Sequence, residues 1–200
     1  IVSKKDSILY NASDIKLLIP KVIEAGIIVP TSSTTAQLAI GDALAISAMK
    51  YKKFDKLDFK KLHPSGSLGS QLKTVEDIMI TGKKIPFVNE NLDMKKAFKI
   101  LNKKKLGVLV VRNKSNKITG IITDGQIRRY SEKNYNFHLL PVKNIMTRKP
   151  ITIDKNEFAA KALSIMNNKK ITSLIVNTKK RPAYAVGIIH VHTILQSNIS

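Results

Sequence analysis

"MKKAFKILNKKKLGVLVV", Met94–Val111, recurs as "AAKALSIMNNKKITSLIV", Ala159–Val176, and this recurrence decides how the chain folds. In the first copy Met94, Ala97, Phe98 and Leu101 fall at i, i+3, i+4 and i+7, the spacing of one helix face. The β-branched run Val108–Val111 follows as a strand. The match extends outward on both sides. "VEDIM" at Val75–Met79 returns as "VKNIM" at Val142–Met146, and "ITGIITDGQI" at Ile118–Ile127 returns as "AVGIIHVHTI" at Ala185–Ile194, always 65 to 67 residues on. Each copy reads as a turn, a helix, two strands and a second helix, the last at Asp124–Tyr130 in one copy and Thr193–Gln196 in the other. A β-α-β-β-α unit leaves one sheet face bare, so two copies are expected to pack as a pair.

The totals are consistent with this. The 200 residues are 43% hydrophobic, with no cysteine for disulfide or thiolate chemistry and no long apolar run for a membrane span. A cytoplasmic protein without a membrane partner is expected. Net charge is +21, of which residues 1–72 carry only +4. The excess is lysine spread over helices and turns, without an arginine-rich helix, so it reads as a solvated surface and no nucleic-acid partner is expected.

The repeat resembles a tandem pair of CBS domains, with copies at 73–133 and 134–200. In that family the cleft between copies often holds an adenine nucleotide, a Thr or Ser taking phosphate and an Asp three positions later taking ribose. Here the equivalent positions are Thr123 and Gln126 in one copy, His190 and Thr193 in the other. Both carboxylates are missing. Glutamine lacks the charge that favours a bidentate diol contact, so a sugar nucleotide suits this cleft better than an ordinary adenosine nucleotide. His190 and His192 stand two apart on an expected strand and would point to opposite faces, a poor metal site. His138 follows the linker Asn134–Asn136 and reads as exposed.

Residues 1–72 are a different kind of sequence. "SDIKLLIP", Ser13–Pro20, reads as a buried strand. "PTSSTTAQLAIGDALA", Pro30–Ala45, places five hydroxyls at a helix start, where one would suffice for capping and all could face an anion. The helix is apolar on almost every side, so burial is expected, as at a contact between subunits. A further helix, Leu57–Leu62, ends at the loop "HPSGSLG", His63–Gly69.

The hydroxyl-rich helix, the histidine loop and the CBS pair, in this order, resemble the arabinose-5-phosphate isomerase family. There a sugar isomerase (SIS) domain, a doubly wound parallel α/β sheet, precedes the CBS domains. The resemblance implies that residues 1–72 are the C-terminal portion of an SIS domain, that the rest precedes Ile1, and that the chain alone is inactive. It implies a homotetramer that interconverts D-ribulose 5-phosphate and D-arabinose 5-phosphate for Kdo and lipopolysaccharide biosynthesis, with the sugar phosphate as substrate and no cofactor or metal. Aldose–ketose isomerisation passes a proton between C1 and C2 through an enediol, which needs a base and a donor to the oxygen. The family's functional glutamate and histidine fall on Glu24 and His63, with Thr31, Ser32, Ser33 and Thr34 close to substrate. The plain readings are a solvated loop glutamate and a helix-terminal histidine. The family loop runs His-Pro-Gly-Gly, whereas Ser65 stands at the first glycine, which strains the loop if that position needs a positive φ. A non-enzymic CBS sensor of nucleotides or sugar phosphates is the alternative.

Overall fold

The computed structural model describes residues 1–133, 135–197 and 199; Asn134, the expected start of the second copy, lies outside them. The chain divides into Ile1–Phe59 and Lys60–Ser200.

About half of the first unit is helical. It holds α1 (Ile8–Ala12), α2 (Ser32–Tyr51) and the start of α3 (Lys56–Leu62). Its strand pairing is limited to two isolated bridges, Val2 with Leu18 and Gly26 with Val29. The strand expected over Ser13–Pro20 is therefore not formed. Ile15 is exposed, and of this unit's apolar side chains Ile19 alone is buried. A short apolar run specifies a strand only where a neighbouring strand exists to take its hydrogen bonds. Burial of α2 is likewise not seen: none of its residues is buried, and Leu38, Leu44 and Ile46 are exposed.

In the second unit the repeat becomes two sheets. The first copy runs α5 (Val75–Ile78), β1 (Ile80–Thr81), β2 (Phe87–Asn89), α6 (Met94–Lys104), β3 (Val108–Arg112), β4 (Ile118–Thr123) and α7 (Asp124–Lys133), after the short helix α4 (Gly66–Gln71). The second runs β5 (Thr147–Arg148), β6 (Thr152–Asp154), α8 (Ala159–Lys169), β7 (Ser173–Asn177), β8 (Gly187–His190) and α9 (Val191–Gln196). The sheets are ordered β2-β3-β4-β5 and β1-β8-β7-β6. Each copy thus lends its first short strand to the other: β1 pairs antiparallel with β8, and β5 with β4.

Burial on both faces explains the unbroken apolar runs Val108–Val111 in β3 and Leu174–Val176 in β7. Leu109 and Val111 of β3 pack with Met94, Ala97 and Leu101 of α6, while Val108 and Val110 meet Ile175 of β7 and Ile188 of β8. Leu174 and Val176 face α8 in the mirror arrangement. The expected helix face holds at Met94, Ala97 and Leu101; Phe98 is partly exposed at its edge. Helices α6 and α8 both stop at a lysine in the left-handed region, Lys105 (φ 55°) and Lys170 (φ 53°).

Candidate functional site

His63 sits in the turn between α3 and α4. Its backbone N–H donates to the Lys60 carbonyl at 3.1 Å, closing the end of α3, and the side chain is half-buried. The strain expected at Ser65 is absent: Ser65 is extended (φ −138°, ψ 178°) at the residue before α4, and the left-handed residue is Gly66 (φ 78°). Serine is therefore tolerated because the glycine that the turn requires stands one position later. Gly69 backs the loop. A Cβ there would lie 2.7 Å from the His63 carbonyl oxygen, so only glycine lets α4 close against the His63–Pro64 backbone.

The same segment is anchored to α5. Lys60 pairs with Asp77 and also donates to Thr74 Oγ1 at 3.4 Å. Thr74 and Asp77 form a capping box on α5. Burial alone would raise the Asp77 pKa, but Lys60 and the Thr74 amide and hydroxyl overcome it and hold the carboxyl below its usual value.

In the first unit Glu24 is neither free in solvent nor poised over open space. Its Oε2 accepts from the Thr31 amide (2.7 Å), the Thr31 hydroxyl (3.1 Å) and the Ser33 amide (3.3 Å). The Thr31 hydroxyl in turn accepts from the Ala25 amide at 2.8 Å. The anion at the start of α2 is thus the chain's own carboxylate. Hydrogen bonding from the Ser33 side chain, then from the Thr31 amide, lowers its pKa to about 2. Thr34 and Thr35 turn their hydroxyls back onto the Thr31 carbonyl (2.7 and 3.1 Å), and Ser32 and Thr34 line a shallow groove beside the helix start. The depressed pKa sets the sign of the pH dependence. The cap is complete above the ordinary carboxyl pKa near 4.5 and is lost as pH falls through about 2. Hydrogen exchange at the Thr31 and Ser33 amides is expected to quicken over that fall, and Glu24→Gln should remove the dependence.

The second unit contains a cleft of about 600 Å³ between the two copies. On its first-copy side, Thr123 and Gln126 are committed to each other. The Gln126 Oε1 accepts from the Thr123 amide (3.0 Å) and hydroxyl (3.4 Å), as in a capping box, and its Nε2 donates to Thr147 Oγ1 at 2.6 Å. On the second-copy side stand Lys170, Thr172, Ser173, His190 and His192. Thr193 is not among the lining residues. The expectation that His190 and His192 diverge is overturned. The strand stops at His190 and α9 starts at Val191, so both rings line the cleft and stack, with centroids 5.1 Å apart and planes 19° apart. His190 Nδ1 accepts from the His192 amide at 3.3 Å. Burial, then the neighbouring His192, lowers the His190 pKa. His138 lies in a 3-10 turn, exposed, its ring 3.9 Å from that of Phe137. Among the described residues, no three His, Asp or Glu side chains group as a metal site would require, and no helix is long and apolar enough to cross a membrane.

Sequence reasoning missed Arg129, Lys149, Lys170 and Ser173 as cleft residues. Lys170 and Ser173 flank the start of β7, and that position relative to the repeat was the available signal.

Residues 75–133 and 142–199 match the CBS domain model. An uncharacterised protein of Rickettsia prowazekii is 36% identical over 197 residues, which is 98% of this chain and 60% of that protein. The arabinose 5-phosphate isomerase of Escherichia coli strain K12 is 34% identical over 203 residues, covering all of this chain and 61% of the enzyme. The chain thus spans about 60% of the length of these relatives. Among solved structures, the CBS domain pair of protein MJ0100 in complex with 5-methylthioadenosine and S-adenosyl-L-methionine superposes with a TM-score of 0.55 at 26% identity, covering 62% of this chain and 94% of that one. The protein CBSX2 in complex with AMP gives a TM-score of 0.54 at 18% identity, over 62% and 95%.

Proposed function

The chain belongs to the CBS-domain family, and from that premise we propose that it is the regulatory portion, with the adjoining end of the catalytic domain, of an aldose–ketose isomerase. Its substrates are D-ribulose 5-phosphate and D-arabinose 5-phosphate, in the route to Kdo and lipopolysaccharide. The observation that carries this reading is the extent of the likeness: the isomerase relatives align across residues 1–72 as well as across the CBS pair. A CBS module shared by unrelated proteins would align over the pair alone.

In this reading His63 assists ring opening or moves a proton at the substrate oxygen, held by a loop that Gly66 and Gly69 shape. Glu24 is the carboxylate of the enediol step. With a pKa of about 2 it is a weak base while it caps α2, so that role requires it to leave the Thr31 and Ser33 amides once substrate binds. The uncovered apolar surface of α2 packs against the remainder of the catalytic domain and neighbouring subunits of a cytoplasmic homotetramer. The cleft is the regulatory site, taking a nucleotide or sugar nucleotide, as the MJ0100 pair holds adenosine-type ligands.

The test is direct. The full-length protein is incubated with D-ribulose 5-phosphate and the products are separated from other pentose phosphates. D-Arabinose 5-phosphate is the expected product without added metal or cofactor. Failure to convert either pentose phosphate, with ligand binding at the cleft intact, would favour the non-enzymic sensor instead.

A further inference from the structure

We propose that the second-copy half of the cleft is a proton-linked seat for the phosphate of an organic phosphate, with Ser173, His190 and His192 as donors. This rests on the reading of the cleft as the regulatory site and assigns which half of it recognises the ligand.

Charge points to an anion. The lining side chains include Arg129, Lys149 and Lys170 against one carboxylate, Asp124. The two halves then differ in what they have left to offer. On the first-copy side Thr123, Gln126 and Thr147 satisfy one another. Asp124 also sits there, with Oδ2 only 2.9 Å from where a Cβ on Gly107 would stand, and it repels a phosphate. On the second-copy side the Ser173 side chain is more than nine-tenths buried, and its Oγ has no hydrogen-bond partner among the described residues. A buried hydroxyl without a partner is a cost that a bound acceptor removes. Ser173 is opposite His190 in the β7–β8 ladder, so the unpartnered hydroxyl and the stacked imidazoles belong to one corner of the cleft.

The imidazoles supply the proton link. His190 accepts through Nδ1 from the His192 amide, so the neutral ring carries its proton on Nε2. The groups that share its cleft are His192, Lys170, Lys149, Arg129 and Asp124. The cations, the second imidazole and the His192 amide that Nδ1 already holds oppose its protonation, and Asp124 alone favours it. A phosphate dianion seated there reverses that balance, so binding draws a proton onto the pair near neutral pH.

Calorimetry on the whole chain tests this at pH 7, in buffers of different ionisation heat. The probes are AMP, CMP and ribose 5-phosphate, each beside its unphosphorylated parent. The expected result is binding of at least one phosphorylated probe, a loss of about tenfold or more in affinity for its parent, and net proton uptake. A phosphate ester that simply binds as its dianion releases protons instead, so the sign separates the two cases. Ser173→Ala, which removes only an unpaired hydroxyl, should weaken binding about tenfold, and His190→Asn with His192→Asn should abolish the uptake; circular dichroism checks that the variants remain folded. The proposal is overturned by equal affinity for phosphate and parent, by uptake unchanged in the histidine variants, or by no binding of any phosphorylated probe. Binding lost in Gln126→Ala but kept in Ser173→Ala would place the ligand in the other half. That outcome sinks the proposal and leaves the cleft as the regulatory site.

Discussion

His63→Ala in the full-length protein is expected to lower the kcat of the proposed isomerisation by ~10²- to 10⁴-fold, the range for loss of a positioned acid–base group. The effect should fall on kcat more than on KM, because in the proposed role the imidazole acts on a proton in flight rather than on the phosphate that anchors the sugar. The loop itself argues for this role over that of a helix-end histidine. An end of α3 needs only the His63 amide, which the Lys60 carbonyl already receives. It does not need the left-handed Gly66, nor Gly69 set so close to the His63 backbone oxygen that a Cβ would not fit. Gly69→Val should therefore reduce turnover with His63 still present, by displacing the backbone that aims it. Steady-state kinetics on both variants, with melting temperatures measured alongside, would decide the matter. A His63→Ala enzyme with near wild-type kcat would remove His63 from the reaction.

Gly120→Val is expected to destabilise the second unit by about 3 kcal/mol, at the upper end of the cost of forcing a side chain into a filled space. A Cβ on Gly120 would stand 2.6 Å from Met146 Sδ and 2.8 Å from the Thr147 carbonyl oxygen. The thioether can swing away. The carbonyl cannot, because it belongs to β5, which is paired to β4 at this point through Gly120 with Arg148 and Ile121 with Thr147. Gly187 in the other sheet meets the equivalent obstacles, Met79 Sδ at 2.5 Å and the Ile80 carbonyl oxygen at 3.1 Å, and Gly187→Val should behave alike. Urea unfolding followed by circular dichroism measures both. A loss under about 0.5 kcal/mol, typical of an unconstrained surface site, would show that the close packing there is not required.

The contrast between the repeat and the first unit shows what the sequence could and could not convey. In the repeat, periodicity and strand composition agreed with each other twice over, and the main helices and the central strands followed, while the short strands β1, β2, β5 and β6 carried no such signal. Each copy's pattern is supported by local neighbours within a few turns of chain. Ser13–Pro20 had no such support: its apolar residues implied burial, yet the partner that would make them a strand is not supplied by residues 1–59. The stacking of His190 on His192 could have been read. In the first copy the helix begins directly after Thr123, and carrying that boundary across to His190 puts His192 on a helix, not a strand. Glu24 shows a different limit. Its place before a hydroxyl cluster was visible, but whether those amides wait for a ligand or already hold a carboxylate depends on a loop path that no local pattern encodes. The same holds for Lys60 and Asp77, seventeen residues apart with the His63 loop and α4 between them.

The traded edge strands bear on how this pair can come into being. Because β1 completes the second copy's sheet and β5 the first's, neither copy released by itself has a finished edge; each would expose a row of unpaired amides and carbonyls on β4 or β8. A lone copy could repair that edge only by borrowing the strand of an identical molecule. A self-associating single copy, later doubled along one gene, reaches the present arrangement without ever passing through an open-edged monomer. The same interlock means that a growing chain emerging from the ribosome cannot close its first sheet until Thr147 and Arg148 have been made, so the two copies are expected to fold together rather than in turn.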